Sequence, residues 1–271
     1  MARKHLAEGL ARGRRLGAMN TYVWLPWMMS ELASAALEQG IETDYVQRLI
    51  RMRKLRPPEN RPSHWPWPVR IRCLGTFEIE IEGSRLQFAG KSPKRPLELL
   101  KGVIARGGRS VDCQRLWESL WPDADGDAAA DAFSMALHRL RKLLCVEHTV
   151  LLEEGRISLN EDVCWIDAEA FDRLSETALR YPGGSNAAHE ALGLYRGHFL
   201  DNEPAQPLML PARDRHRSRM QRLVEREYQA LAQRAKLAGS RRYHGPHWKS
   251  IPSTSLLSRL DVRAAGSGPA R

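Results

Sequence analysis

The stretch DAAADAFSMALHRLRKLL, residues 127–144, has the period of a helix and two chemically different faces. Phe133, Leu137, Leu140 and Leu144 fall at i, i+4, i+7 and i+11, the spacing of one buried stripe. Successive helical residues turn by about 100°, which places Asp131, Met135, His138, Arg139 and Lys142 roughly opposite that stripe. This outer arc becomes cationic toward its C-terminal half. Such a face suits a DNA groove, although a surface helix that merely solvates its charges has the same pattern. The neighbouring sequence has to decide between the two.

Downstream, Val150–Leu152 and Arg156–Leu159 flank Glu154-Gly155, a short-hairpin signal. Immediately upstream, Cys113–Trp121 carries Leu116, Trp117 and Leu120 inward and is stopped by Pro122. Before it, Lys94–Arg106 keeps helical spacing through Leu97, Leu100 and Ile104 and ends at Gly107-Gly108. Further back the period changes to two. Ile71, Phe77, Ile79 and Ile81 alternate with polar residues, and Glu82-Gly83-Ser84 turns the chain into a short strand over Arg85–Phe88. Sheet, three helices and a hairpin in that order make a winged helix-turn-helix, in which the third helix reads the major groove, the second braces it and the hairpin is the wing. The expected fold class is α+β, with N-terminal strands leading into a winged helix over residues 69–164.

Residues 1–56 read as a helical N-terminal segment. Trp24, Met28, Leu32 and Ala35 or Ala36 keep helical spacing between Thr21 and Gln39, and Gly40 stands where a left-handed cap would end the helix. Tyr45, Leu49 and Met52 mark a second helix with Asp44 as a candidate cap. Its closing cations, Arg51, Arg53 and Lys54, complement a helix macrodipole, and contact with DNA or lipid is the less economical explanation for them. So small a pair reads as the end of a helical array that the chain begins partway through. Residues 57–68 hold Pro57, Pro58, Pro62, Pro66 and Pro68 and form a linker, in which Trp65 and Trp67 are apt to dock on the next domain.

These residues also carry a resemblance. The runs LGTFEIEIEG, KSPKRPLELLKGVIARGG, LWESLWPDADGDAA, ALHRLRKLL and EEGRISLN resemble the OmpR/PhoB-type winged helix of bacterial transcriptional activators of the antibiotic-regulatory kind. DVCWIDAEAFDRL and EALGLYRGHFLDNEP resemble the start of the bacterial transcriptional activator domain that accompanies it. ALEQGIETDYVQRLIRMRKLRPP followed by WPWPVRI is similar to the junction at which such activators end longer chains that carry a signalling ATPase. The likeness spans roughly Trp65 to Gly239.

Beyond the hairpin, Phe171, Leu174 and Ala178 form one stripe over Asp167–Tyr181, and Ala188, Leu192 and Tyr195 another over Asn186–Arg196, the pattern of an antiparallel helix pair. Met220, Val224, Tyr228, Leu231 and Ala235 mark a longer, highly charged helix over Arg213–Leu237. The residues alone indicate an all-α region without a clear repeat of about 34 residues. The resemblance implies that residues 165–239 are a partial, tetratricopeptide-like activator domain. Here the sequence departs from the family: after Gly239 the further helical pairs are missing, and residues 240–271 read as a basic, disordered tail rich in Gly, Pro and Ser. Within it IPSTSLLSRL resembles the end of a complete activator domain, so an internal deletion or an altered reading frame is one explanation.

Lys plus Arg outnumber Asp plus Glu by 42 to 32, giving a net charge of +10, which favours nucleic acid as partner ahead of a membrane surface. No apolar run approaches the ~20 residues of a spanning helix, and the basic N-terminus lacks the apolar core of a secretory signal. Cys73, Cys113, Cys145 and Cys164 are widely separated and lack zinc-ligand spacing, so they are expected to be reduced packing residues in a cytoplasmic protein.

Catalytic templates fail. Gly90-Lys91-Ser92 is similar to the end of a phosphate loop, but Arg85 occupies the earlier glycine position. Asp123, Asp125 and Asp127 with Gly126 lack the terminal glutamate of a calcium loop and read as a capped turn into the helix. His244 and His247 stand alone in the tail. No catalytic, cofactor or metal residues are therefore expected.

The expected activity is sequence-specific binding of double-stranded promoter DNA by a transcriptional regulator, an activator by resemblance. Ser134, His138, Arg139, Arg141 and Lys142 are the candidate contacts on the reading helix, with Met135 at the edge of its arc, Arg115 on the bracing helix and Arg156 in the wing. Glu153 and Glu154 argue against a wing that seeks the minor groove. RNA polymerase or another protein is the expected partner of the helical region, with homodimerisation as a further expectation. The alternative is a helical interaction scaffold with only nonspecific affinity for nucleic acid.

Overall fold

The computed structural model describes residues 2–20, 24–88, 92–123, 126–181, 185–204 and 206–241. The expectations for Gly90, Lys91, Asp125, His244, His247 and residues 242–271 lie outside the described residues. The chain divides into two units, Met1–Ala230 and Leu231–Arg271.

Three helices come first, α1 (Ala2–Leu16), α2 (Pro26–Glu38) and α3 (Thr43–Arg53). The sequence places residues 2–16 within a helical N-terminal segment without marking a separate helix there, and α1 is that helix. Gly40 does take a left-handed φ of 66° at the end of α2. The buried face of α2 is Met29, Ala33 and Ala36, one residue on from the predicted stripe, and Leu32 is exposed. Tyr45, Val46, Leu49 and Ile50 bury α3 while Met52 points outward. Asp44 lies inside the first turn and does not cap; Glu42 holds the cap position in a left-handed conformation. The proline-rich segment then docks rather than tethers: Trp65 and Trp67 are buried with Trp165, Ala170 and the α2–α3 pair in one apolar cluster. Trp67 Nε1 donates to Pro62 O at 3.0 Å, and the Arg70 guanidinium lies 5.2 Å from the Trp165 ring.

Strands β1 (Val69–Arg72), β2 (Glu78–Ile81) and β3 (Ser84–Arg85) lead to α4 (Lys94–Ala105). Pro96 is tolerated in the first turn of α4, where a backbone N–H has no intrahelical partner to lose. Next come β4 (Val111–Asp112), α5 (Cys113–Leu120), α6 (Gly126–Leu144), β5 (Val150–Glu153), β6 (Arg156–Leu159) and β7 (Cys164–Ile166). Two sheets result, ordered β3-β2-β1-β7 and β4-β6-β5. The sequence reading lacked β4 and β7, each too short to show a period. β7 lies parallel to β1, Val69 beside Cys164, so the last strand returns to the first and encloses α4 to α6 between them in the chain. Helix and small antiparallel and parallel sheets together make the α+β class.

Helices α7 (Asp167–Arg180), α8 (Asn186–Leu194) and α9 (Leu210–Arg241) complete the described chain. Asp167 ties α7 to β1. Its buried carboxylate accepts from Cys73 N at 2.8 Å, Leu74 N at 3.0 Å and Cys73 Sγ at 3.0 Å, while burial raises its pKa. The segments LGT and GHFLDN, distant in sequence, run side by side: Gly75 N donates to His198 O at 2.9 Å and Leu200 N to Cys73 O at 2.7 Å. A Cβ on Gly197 would stand 3.1 Å from Gly75 Cα, so a side chain there would push the two segments a few tenths of an ångström apart. The buried face of α9 departs from expectation. Ala212, His216, Leu223 and Glu227 are buried, while Tyr228 and Leu231 are 66% and 51% exposed. Among the described residues no helix is long and apolar enough to cross a membrane.

Candidate nucleic-acid interface

α6 buries the stripe read from its period. Phe133, Leu137, Leu140 and Leu144, joined by Ala136, pack in the core shared with α4, α5 and β6, and Ala129 is buried on the same helix. Trp117 of α5 meets Phe133 edge-on, with centroids 5.5 Å apart. Fixing that face leaves the opposite one outside: Ser134, Met135, His138, Arg139 and Lys142 are exposed, as is Arg141 at the edge of the buried stripe. Asp127 and Asp131 lie toward the N-terminal end and the cations toward the C-terminal end, the sense that a helix macrodipole favours. Met135, 57% exposed, adds an apolar patch to the arc.

α5 is set by its cap. Asp112 Oδ1 accepts from Arg115 N at 2.9 Å, which fixes the first turn and leaves the Arg115 side chain exposed. Beyond α6 the β5–β6 hairpin turns through Glu154 and Gly155, with φ of 48° and 72°, the paired left-handed geometry of a two-residue hairpin turn. Arg156 is exposed on β6, faces Glu153 in register, and donates to Ser110 O at 3.0 Å.

The candidate cations therefore differ in how they are held. Arg115, Arg139 and Lys142 have no side-chain hydrogen bond or ion pair among the described residues. Arg141 and Arg156 each donate to a backbone carbonyl, Arg141 to Val150 O from both Nε (3.2 Å) and Nη2 (3.1 Å). The sequence makes Arg141 a candidate DNA contact and does not show this bond, because Val150 is brought beside α6 only by the turn at residues 145–149.

A second charged cluster, not visible in the sequence, is fully paired. Arg61 and Arg109 both meet Glu161 and Glu169, and Arg173 donates to Arg61 O at 3.1 Å. Burial, then the neighbouring Arg109 charge, lowers the Arg61 pKa to about 10. These arginines lock the proline-rich segment to α7 and to the base of the hairpin. No local spacing announces them, since their partners come from four separate parts of the chain.

The cysteines carry no reactive signature. Burial pushes the Cys113 thiol up, and raises Cys73 and Cys164 further. Cys145, expected in the core, is instead exposed just past the end of α6, where a left-handed φ of 52° turns its side chain outward. Among the described residues no group of three or more His, Cys, Asp or Glu could hold a metal ion.

No protein-family profile matches the chain. No curated protein matches it either. Among solved structures, Mycobacterium tuberculosis EmbR in complex with a low affinity phosphopeptide aligns at 19% identity over 64% of this chain and 47% of that one, with a TM-score of 0.42. This chain thus spans about half the length of that structure.

Proposed function

We propose that the chain is a transcriptional regulator that binds promoter DNA through a winged helix of the OmpR/PhoB type, with α6 as the reading helix and β5–β6 as the wing. The observation that carries this reading is the exposed arc of α6: two cations without a partner among the described residues, Arg139 and Lys142, share it with Ser134, Met135 and His138, above a fully buried opposite stripe. Duplex phosphates favour cations free to release condensed counterions, and base edges in the major groove favour mixed polar and apolar side chains on one rigid helix. Arg139 and Lys142 are the phosphate or guanine contacts, His138 and Ser134 the shorter polar readers, and Arg115 a backbone contact from α5. Arg156, held to Ser110 and faced by Glu153, contributes less. Activation, RNA polymerase contact and self-association belong to the partial activator domain, α7 to α9, in this reading, and no catalytic step is assigned to the chain.

Selection of bound duplexes from a random library, followed by footprinting, tests the proposal. A regulator enriches one sequence and protects it at physiological salt. Enrichment of no sequence, with binding that vanishes as salt rises, would leave only the interaction-scaffold reading.

A further inference from the structure

We infer that Arg141 is a positioning residue, which staples the β5–β6 hairpin to the last turn of α6 and does not itself contact phosphate. Its consequence for binding rests on the DNA-reading role proposed above; the staple itself does not. β5 is the edge strand of its sheet, so one of its sides has no strand beside it. Leu159, opposite Val150, gives its N–H to Gly108 O at 2.8 Å, and the Val150 carbonyl is taken by the two Arg141 donors. At the same time Arg141 O accepts from Cys145 N at 3.2 Å. One residue thus holds both ends of the turn that joins α6 to the hairpin.

That turn needs holding. Cys145 and His148 both adopt left-handed φ, 52° and 58°, a conformation that crowds the Cβ of any residue but glycine. Thr149 Oγ1 donates to Val146 O at 2.8 Å within the turn and Cys145 Sγ to Lys142 O at 2.9 Å, but neither bond links α6 to β5. The guanidinium is the side-chain tie from the reading helix to the next strand. Without it the hairpin keeps its sheet partners and its apolar packing against the α6 stripe, and β5 loses its hydrogen-bonded tie to the last turn of α6. Leu152 and Arg156, both exposed on the hairpin, are then held less tightly beside the arc.

The test compares Arg141→Ala with Lys142→Ala by salt-titrated duplex binding and by amide hydrogen exchange of the free protein. Each phosphate contact contributes ~0.9 to the slope of log K against log salt, so Lys142→Ala should flatten the slope by about that amount. Arg141→Ala should lower affinity ~10-fold at unchanged slope, the size of a lost charge-assisted bond. It should also speed exchange across β5–β6, which Lys142→Ala should not. Arg141→Lys keeps the charge without the two-donor fork and should restore neither affinity nor protection in full.

A flattened slope for Arg141→Ala, unchanged affinity, or full recovery of affinity in Arg141→Lys would each overturn the inference. If the wild-type chain binds no duplex, the DNA-reading proposal fails. Exchange in the free protein then decides the staple by itself, faster exchange in Arg141→Ala upholding it and unchanged exchange overturning it.

Discussion

Helices α6 and α9 are both long, arginine-bearing and amphipathic, yet the charged groups at their buried faces are held differently. On α6 the buried face is wholly apolar, and Arg139 and Lys142 stand on the outer arc with no partner among the described residues. On α9 the buried face includes His216 and Glu227, and the arginines beside it are committed to the protein. Arg213 donates to Phe199 O at 3.0 Å and Leu200 O at 2.8 Å; Arg219 and His216 meet Asp172 Oδ1 at 3.1 and 3.2 Å. Positive charge in a sequence therefore predicts nucleic-acid contact only after the paired cations have been set aside. Exposed cations without a bond among the described residues occur on both helices, Arg217 and Arg226 on α9 among them; what α6 adds is that Arg139 and Lys142 share one arc with Ser134, Met135 and His138.

The largest effect that this contrast predicts is on binding. Replacing His138, Arg139 and Lys142 together by Ala should weaken a selected duplex at least ~100-fold, at ~1–3 kcal/mol per base-edge contact, and leave thermal stability nearly unchanged. Replacing Arg213 and Arg219 on α9 should do the reverse, and loss of DNA affinity in that double variant would break the comparison. Next in size is Asp172→Ala, which leaves the buried His216 and the half-buried Arg219 without their carboxylate. It should cost about 2 kcal/mol in denaturant unfolding, below the full buried-pair value because Asp172 is partly exposed. A variant as stable as wild type would show that this cluster is not structural.

Smaller again is Cys145→Gly, which removes the strain of an exposed left-handed residue just past α6 and should stabilise by ~1 kcal/mol, read as a rise in Tm. A fall in Tm would mean that the thiol, which donates to Lys142 O at 2.9 Å, outweighs the strain. The smallest concerns His64, whose ring nitrogen pairs with Ser34 Oγ at 3.0 Å and whose pKa is lowered by burial. A depressed pKa means that the folded state prefers the neutral ring. Its contribution is present above about pH 6.5 and is lost as pH falls through the folded value. His64→Gln should therefore lose less stability between pH 7 and pH 5 than wild type does; an unchanged profile would remove His64 from the acid response.

Legibility in the sequence divides along the same contrast. The α6 stripe could be read because Phe133, Leu137, Leu140 and Leu144 are large, strictly periodic and flanked by polar residues. The α2 stripe was off by one because Trp27, Met28 and Met29 are consecutive apolar residues, among which period alone cannot choose. The buried face of α9 was misplaced because His216 and Glu227 look like surface residues until α7 and its Asp172 are beside them. β7 is three residues long, and only its pairing with β1 makes it a strand. Exposure of every candidate on α6 was readable from the helix period. The carbonyl bonds of Arg141 and Arg156 were not, since they depend on where a turn and a neighbouring strand bring Val150 and Ser110.

The most direct test is the affinity of wild type and the His138/Arg139/Lys142 triple alanine variant for a selected duplex and a scrambled competitor, across a salt series. The account predicts a wild-type preference of ~10³ or more at physiological salt, lost in the variant together with ~2 units of salt slope. Equal affinity of wild type for the two duplexes, or a variant that keeps both the preference and the slope, would contradict it.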